Sequence, residues 1–125
     1  MPSRSISNQG INNLNGTFQV IPVNMATPFA NFTGFVSLVK IQGSDWDGTA
    51  STLTMAITED LAGDQLIITD TESTLFAGKT TATTCGCEYR IDSILATATN
   101  YLYLWFKTDS GTIDIDKLII TLRDD

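Results

Sequence analysis

The sequence predicts an all-β fold, a two-sheet antiparallel β-sandwich of jelly-roll type with about eight strands. Short segments rich in β-branched and aromatic residues are separated by Gly, Asp, Asn and Thr, and no segment keeps helical spacing over three turns. The chain has 125 residues, of which 42% are hydrophobic, which is enough for one compact domain and too little for two.

The clearest predicted strand is Ser51–Thr58. Its apolar residues Leu53, Met55 and Ile57 alternate with small or hydroxyl-bearing residues, and this period of two is typical of a half-buried antiparallel strand. The other predicted strands are Phe18–Val23, Phe35–Ile41, Gln65–Thr69, Ser73–Ala77, Glu88–Leu95, Tyr101–Lys107 and Thr112–Leu122.

The last predicted strand changes phase. Ile113 and Ile115 share one face, but the apolar positions then move to Leu118 and Ile120. Such a slip requires a β-bulge or tight turn near residues 116–117. The preceding Asp109-Ser110-Gly111 is typical of a hairpin loop.

The first 17 residues differ from the rest in composition, being rich in Ser, Asn, Gln and Gly and poor in apolar residues. No acid precedes Asp45, and the only ionic side chains before it are Arg4 and Lys40. Residues 1–17 are therefore expected to form an extended N-terminal arm, with residues 18–125 forming the sandwich. The alternative is a frayed terminus with no role.

The ionic composition argues against several functions. A net charge of -7 opposes approach to a nucleic-acid backbone. The chain has no His, which removes Ser-His-Asp triads and His-ligated zinc. The opening residues lack the apolar core of a signal peptide, and no apolar run reaches the ~18 residues of a membrane span. We therefore expect a soluble, cytosol-made protein without nucleic-acid, membrane or small-molecule partners.

Cys85-Gly86-Cys87 is the one cysteine pair. In an extended strand its two Cα atoms lie roughly 6.8 Å apart with both side chains on one face, near the upper limit for a disulfide. Two thiolates could also supply half of a zinc site, which carboxylates or a second subunit would have to complete. We expect a reduced, partly buried pair.

Acidic clusters offer weak metal or catalytic signals. The segment Asp45-Trp46-Asp47-Gly48 begins like a calcium loop but lacks the later ligands. Glu59, Asp60 and Asp64 are typical of a solvated turn. Two carboxylates could serve a glycosidase, but nothing predicts the apolar pocket that would raise the pKa of one of them. The sequence thus predicts no catalytic residue, metal or cofactor, and no enzyme.

Tyr101–Phe106 is apolar on both faces of its predicted strand. Tyr101, Tyr103 and Trp105 share one face, and two Leu and Phe106 occupy the other. If the Leu-Leu-Phe face packs in the core, the aromatic face needs cover from a loop, the arm or another subunit. It could instead stack on sugar rings, or belong to the core of the same chain.

Three motifs carry a resemblance. They are T-E-D-x-A-G-D within Thr58–Thr71, G-K-T-T-A-T-T within Ala77–Thr84, and L-W-F-K-T-D-S-G-T within Tyr101–Thr112. From about Val39 onward the chain resembles small structural proteins of tailed, especially marine, bacteriophages. The motifs contain no catalytic residues.

The resemblance implies a virion structural protein made in the bacterial cytoplasm. We expect a decoration or cement protein on the outer capsid surface whose arm binds the major capsid protein through Ile6, Ile11 and Leu14. Such proteins are often trimers, so Tyr101, Tyr103 and Trp105 are candidates for a subunit or arm-covering interface. Removing residues 1–17 should then leave the sandwich folded.

The alternative is a carbohydrate-binding β-sandwich in a phage tail fibre or on the head. It would use Trp46 or the Tyr/Trp face to stack on sugars and nearby Asp side chains to bind hydroxyls.

Overall fold

A computed structural model describes residues 3–6, 10–24, 33–47, 49–62, 66–77, 84–97 and 101–124. This part of the chain contains no apolar helix of membrane-spanning length. Its secondary structure consists of strands: β1 (Ser3–Ile6), β2 (Ile11–Leu14), β3 (Gln19–Asn24), β4 (Thr33–Ser44), β5 (Thr52–Thr58), β6 (Leu66–Thr74), β7 (Phe76–Ala77), β8 (Cys85–Thr97), β9 (Tyr101–Thr108) and β10 (Ile113–Asp124).

The strands form two antiparallel sheets. The larger sheet has the order β1-β10-β4-β8-β7, with β2 also paired to β10, and the smaller sheet has the order β3-β9-β5-β6. Because β1 and β2 pair with successive stretches of β10, they act as one interrupted edge strand. With the two-residue β7 taken as an edge extension, the fold has eight strands in two sheets of four. This arrangement confirms the predicted sandwich, and its strand order is that of a jelly roll.

Sequence periodicity correctly predicted the central strands. In β5, Leu53, Met55 and Ile57 face the other sheet and are fully buried. The phase slip in β10 is also confirmed, because its register with β4 shifts between Ile115 and Lys117. The core between the sheets is continuous, and its largest fully buried side chains are Phe106, Leu14, Ile21, Ile41, Leu53, Met55, Ile57, Leu102, Leu104, Ile113 and Ile115.

Part of the N-terminal segment belongs to this core. The backbone of β1 pairs with β10, and β2 brings Ile11 and Leu14 into the core at 6% and 0% exposure. The expectation that residues 1–17 lack a place in the chain's own core is therefore wrong for these two residues. The physical reason is that β10 would otherwise present an unpaired edge to solvent.

A backbone irregularity conceals β2 in the sequence. Asn13 has a φ of 56°, and the register of β2 with β10 shifts between Ile113 and Ile115. This left-handed residue breaks the alternation of the strand, so that Ile11 and Leu14 both face inward although they are three positions apart.

The sequence predicted that Asp109-Ser110-Gly111 forms a hairpin loop, and this prediction is wrong. The segment joins β9 to β10, and these two strands lie in different sheets. The turn residues serve a crossing between the sheets, where Gly111 adopts a φ of 66° that favours glycine.

Candidate functional site

The outer face of the smaller sheet contains the predicted aromatic residues. Tyr103 and Trp105 are half-buried on this face, while Leu102, Leu104 and Phe106 are buried in the core. The alternation predicted for residues 102–106 is therefore confirmed.

Trp105 is held in a defined orientation. Its indole N–H donates a hydrogen bond of 2.9 Å to the hydroxyl oxygen of Thr58 on β5. In register, Trp105 lies opposite Ala56, whose small side chain faces the same side of the sheet and is 5% exposed. We infer that the Trp105 ring lies across β5 and covers the side chains of Ala56 and Thr58. Because the indole N–H is hydrogen-bonded within the chain, the fold itself fixes the orientation of the ring.

Neighbouring side chains extend this surface. On β3, Val20 lies opposite Trp105 and the exposed Pro22 lies opposite Tyr103. The ammonium group of Lys107 lies 4.6 Å from the centroid of the Phe18 ring, a cation–π contact. We call the set of Phe18, Val20, Pro22, Tyr103, Trp105 and Lys107 the aromatic face.

The remaining predicted interface residues have different positions. The backbone of Tyr101 pairs with Asn24 at the start of β9, and its side chain lies outside the described residues. The backbone of Ile6 pairs with Leu118, and its side chain is likewise outside the description. Because Ile11 and Leu14 are core residues, they are not available as anchors for a coat protein while the sandwich is folded.

Trp46 belongs to the interior more than to a sugar-binding surface. Its indole N–H donates a 3.0 Å hydrogen bond to the carbonyl oxygen of Ala50, and its partly buried ring packs against the core. The ring therefore closes the loop that follows β4.

Asp47 and Asp109 accept hydrogen bonds that stabilise neighbouring loops. The carboxylate of Asp47 accepts hydrogen bonds from the Thr49 N–H (2.9 Å) and hydroxyl (2.7 Å), and these lower its pKa. The carboxylate of Asp109 accepts from the hydroxyl and N–H of Ser51 and the N–H of Thr52, which lowers its pKa to about 2. Both carboxylates serve as hydrogen-bond acceptors within the fold.

The sequence did not predict the contact between Asp45 and Asp114. A hydrogen bond to Asp114 and repulsion from the charges of Asp114 and Asp116 raise the pKa of Asp45. Asp114 also accepts a 2.7 Å hydrogen bond from the N–H of Asn13. The register of β10 with β4 creates this cluster, since it places Asp114 opposite Ser44. No local sequence pattern could predict the contact between Asp45 and Asp114, because these residues are far apart in the sequence.

Within the described ranges, no group of three or more acidic or thiol side chains could hold a metal ion. The predicted calcium-like segment instead separates its two acids, because Asp47 binds Thr49 while Asp45 lies beside Asp114. Of the second acidic cluster, Glu59 is exposed and Asp64 lies outside the described residues.

Both cysteines are buried and free, as expected. Burial raises the pKa of the Cys85 thiol to about 11 and that of Cys87 to about 12. Tyr89, two positions beyond Cys87, donates a hydrogen bond to the carbonyl oxygen of Leu53 in the other sheet. The thiols therefore belong to a hydrogen-bonded part of the core.

The sequence matches no protein-family model, and no curated protein matches it. Among solved structures, the chain is similar to one described as a novel family GH115 4-O-methyl-α-glucuronidase with specificity for decorated arabinogalactans. The TM-score is 0.49 and the identity 8%. The match covers 99% of this chain and 16% of that chain, so this protein spans only a small part of its length.

Proposed function

We propose that this protein is a virion structural protein of a tailed bacteriophage, which decorates the outer capsid surface by binding the major capsid protein through the aromatic face. The proposal starts from the sequence resemblance over Val39 to the C-terminus. In this proposal the aromatic face, and not the N-terminal arm, is the attachment site, because Ile11 and Leu14 are buried in the core.

The observation that carries the proposal is the half-buried pair of Tyr103 and Trp105 on an outer sheet face. Interfaces are enriched in Tyr, Trp and Arg, and a few such residues contribute most of the binding free energy. The hydrogen bond from Trp105 to Thr58 adds pre-organisation, so binding loses little side-chain entropy at this residue.

The chemistry of the other polar side chains is consistent with a binding role. Asp47 and Asp109 accept hydrogen bonds from their own loops, and the thiols of Cys85 and Cys87 are held protonated by burial. Asp47 and Asp109 thus stabilise loops of the sandwich, and Cys85 and Cys87 pack in its core.

The test uses virions whose genome encodes this chain. We expect the protein in purified particles by mass spectrometry, and cryo-electron microscopy should show the aromatic face against the capsid lattice. Trp105→Ala should weaken rebinding to stripped particles at least about tenfold. Phe76→Ala is the matched control, because Phe76 is an exposed aromatic residue on the other sheet, and its binding should stay unchanged. Absence from virions would overturn the proposal.

A second candidate function, carbohydrate binding, is favoured by the same orientation of Trp105. An indole held along a sheet can present a ring face to the apolar side of a sugar, and the Lys107 ammonium lies on the same surface. Glycan-array binding that is lost in Trp105→Ala and kept in Phe76→Ala would support it. Capsid binding without any glycan signal would exclude it.

A further inference from the structure

The side chain of Thr54 is nearly buried, yet its hydroxyl has no hydrogen-bond partner in the described part of the chain. Thr54 lies between the core residues Leu53 and Met55, so its side chain is on the outer face of the smaller sheet. The other two buried polar residues, Thr58 and Thr108, donate their hydroxyls to carbonyl oxygens. Every fully enclosed side-chain oxygen or nitrogen described has a partner, so the Thr54 hydroxyl reaches the surface and is available to a ligand.

Two charged side chains flank Thr54 in one row across the sheet. The strand register places Glu72 of β6 opposite Thr54 on one side and Lys107 of β9 opposite it on the other. Directly opposite residues of antiparallel strands share a face, with Cβ atoms about 5 Å apart. A groove therefore runs along β5, with the small residues Thr54 and Ala56 as its floor, Glu72 on one wall, and Lys107 and Trp105 on the other. We call it the β5 groove.

The β5 groove is negatively charged because its one described cation points away from it. The Lys107 ammonium group lies 4.6 Å from the centroid of the Phe18 ring, which precedes β3 on the far side of β9. The carboxylate of Glu72 has no ion pair or hydrogen bond with another described residue. Asp70, also exposed, lies beside Ala56, where the register of β6 with β5 shifts. The acids on the β6 side thus lack a counter-charge among the described residues.

Trp105 provides a flat apolar surface at one end of the β5 groove. Its indole, which is hydrogen-bonded to Thr58, lies over Ala56, two residues along β5 from Thr54. Two residues of a strand advance about 6.6 Å, a distance that one extended arginine side chain spans. An aliphatic stem on the indole therefore brings a guanidinium group over Thr54 and beside Glu72.

We propose that the β5 groove binds an arginine side chain of a partner protein. The guanidinium group donates hydrogen bonds to the carboxylate of Glu72 and to the hydroxyl oxygen of Thr54, and the stem packs on Trp105. The inference rests on the proposed function, under which the arginine belongs to the major capsid protein, and it names the chemistry that the groove beside the aromatic face recognises.

The chemistry of the β5 groove selects arginine over other ligands. Glu72 and Thr54 both offer acceptor oxygens, and a guanidinium group carries donors and no acceptor. Its plane also stacks on an indole, whereas the ammonium group of lysine is compact and strongly hydrated. A neutral sugar can use the same oxygens, but it leaves the charge of Glu72 without a counter-charge. The net charge of -7 further favours a cationic partner.

Nuclear magnetic resonance titration of the isotope-labelled full chain tests the β5 groove. The probes are the N-acetyl methylamides of arginine, lysine and citrulline, the last being an uncharged analogue of arginine. We expect the arginine probe to shift the signals of the Trp105 indole N–H and the Thr54 amide, with a dissociation constant of about 1–10 mM. It should bind at least about fivefold more tightly than the other two probes. Equal binding of the citrulline probe overturns the inference, as does binding of methyl glucoside in place of the arginine probe.

Variants of the groove floor and wall sharpen the test. Glu72→Gln and Thr54→Val should each weaken binding of the arginine probe at least about threefold. Thr54→Val keeps the side-chain shape and removes an unpartnered hydroxyl, so its melting temperature should not fall. Glu88→Gln removes an exposed acid from the larger sheet and should leave binding within about 1.5-fold of wild type. Equal effects of Glu72→Gln and Glu88→Gln would refute the site.

Rebinding to stripped particles separates this inference from the proposed function. If Trp105→Ala weakens rebinding and Glu72→Gln does not, the capsid function stands and the arginine site is wrong. If the arginine probe binds as expected and the protein is absent from virions, the arginine site stands and the capsid function is wrong.

Discussion

Asp109 accepts a 2.9 Å hydrogen bond from the backbone N–H of Ser51, 58 positions earlier in the chain, and a second bond from the hydroxyl of the same residue. The neighbouring hydroxyl of Ser110 donates to the carbonyl oxygen of Thr49 at 2.8 Å. The crossing between β9 and β10 is thereby tied to the segment that leads into β5. These bonds fix one end of the sandwich.

We expect Asp109→Asn to lower the midpoint of urea unfolding at pH 7. The pKa of Asp109 is lowered from its ordinary value of 3.8 to about 2, so its stabilising contribution is present above about pH 4 and is lost as the pH falls towards 2. The difference between wild type and variant should accordingly vanish near pH 2. Asp70→Asn, at an exposed position on β6, is the control and should change the midpoint little. A pH-independent difference would contradict this account.

Leu14→Ala tests the inclusion of the N-terminal segment in the core. The side chain is fully buried, so the substitution should lower the free energy of unfolding by about 2–5 kcal/mol. Leu61→Ala, at a side chain 59% exposed, should cost about 0.5 kcal/mol or less. Chemical denaturation of both variants measures the difference.

Deletion of residues 1–17 extends that test. The deletion removes Leu14 and Ile11 from the core and leaves one edge of β10 unpaired, so we expect a strongly destabilised and aggregation-prone protein. This reverses the expectation from the sequence that the shortened protein stays folded. If the truncated chain has the circular dichroism and melting temperature of the full chain, residues 1–17 are an arm that the sandwich does not need in order to fold.

Gly43 and Gly16 form a matched pair of glycine substitutions. A Cβ at Gly43 would lie 2.6 Å from the backbone oxygen of Asp114, so Gly43→Ala must separate β4 from β10 and should cost about 1–3 kcal/mol. At Gly16 the nearest atom would be 3.8 Å away, and alanine there should be neutral or stabilising by up to about 1 kcal/mol. Thermal melts of the two variants should therefore move apart, and equal shifts would contradict the close approach at Gly43.

The two thiols should resist alkylation in the folded protein. Their pKa values are raised to about 11 and about 12 by burial, so almost no thiolate exists at pH 8 and access is blocked. Mass spectrometry after iodoacetamide treatment should show no adduct on native protein and two adducts in denaturant. Rapid labelling of the native chain would show that β8 opens readily.

Local periodicity predicted those strands whose two faces differ. The alternation in residues 53–57 and 102–106, and the slip before Leu118, correspond to β5, β9 and the bulge in β10. Each follows from side chains within one strand. The N-terminal strands could not be predicted in this way, because Asn13 interrupts the alternation and the partner strand lies about a hundred residues away.

For the candidate site, too, only the features that follow from alternation within one strand could be predicted from the sequence. The side on which Tyr103 and Trp105 lie follows from alternation, but the bond from Trp105 to Thr58 depends on the pairing of β9 with β5. The loop between β9 and β10 contains typical turn residues, yet turn chemistry does not specify which sheet the next strand joins. Asp45 and Asp114 meet through strand register alone.

The pairing of β1 and β2 with β10 has a consequence for synthesis. The first strands are made long before Ile113–Asp124, the strand that they must pair with, has left the ribosome. The nascent chain therefore holds Ile11 and Leu14 without their neighbours on β10 until Ile113–Asp124 has been made. Closure of the larger sheet is therefore among the last steps in the folding of this domain.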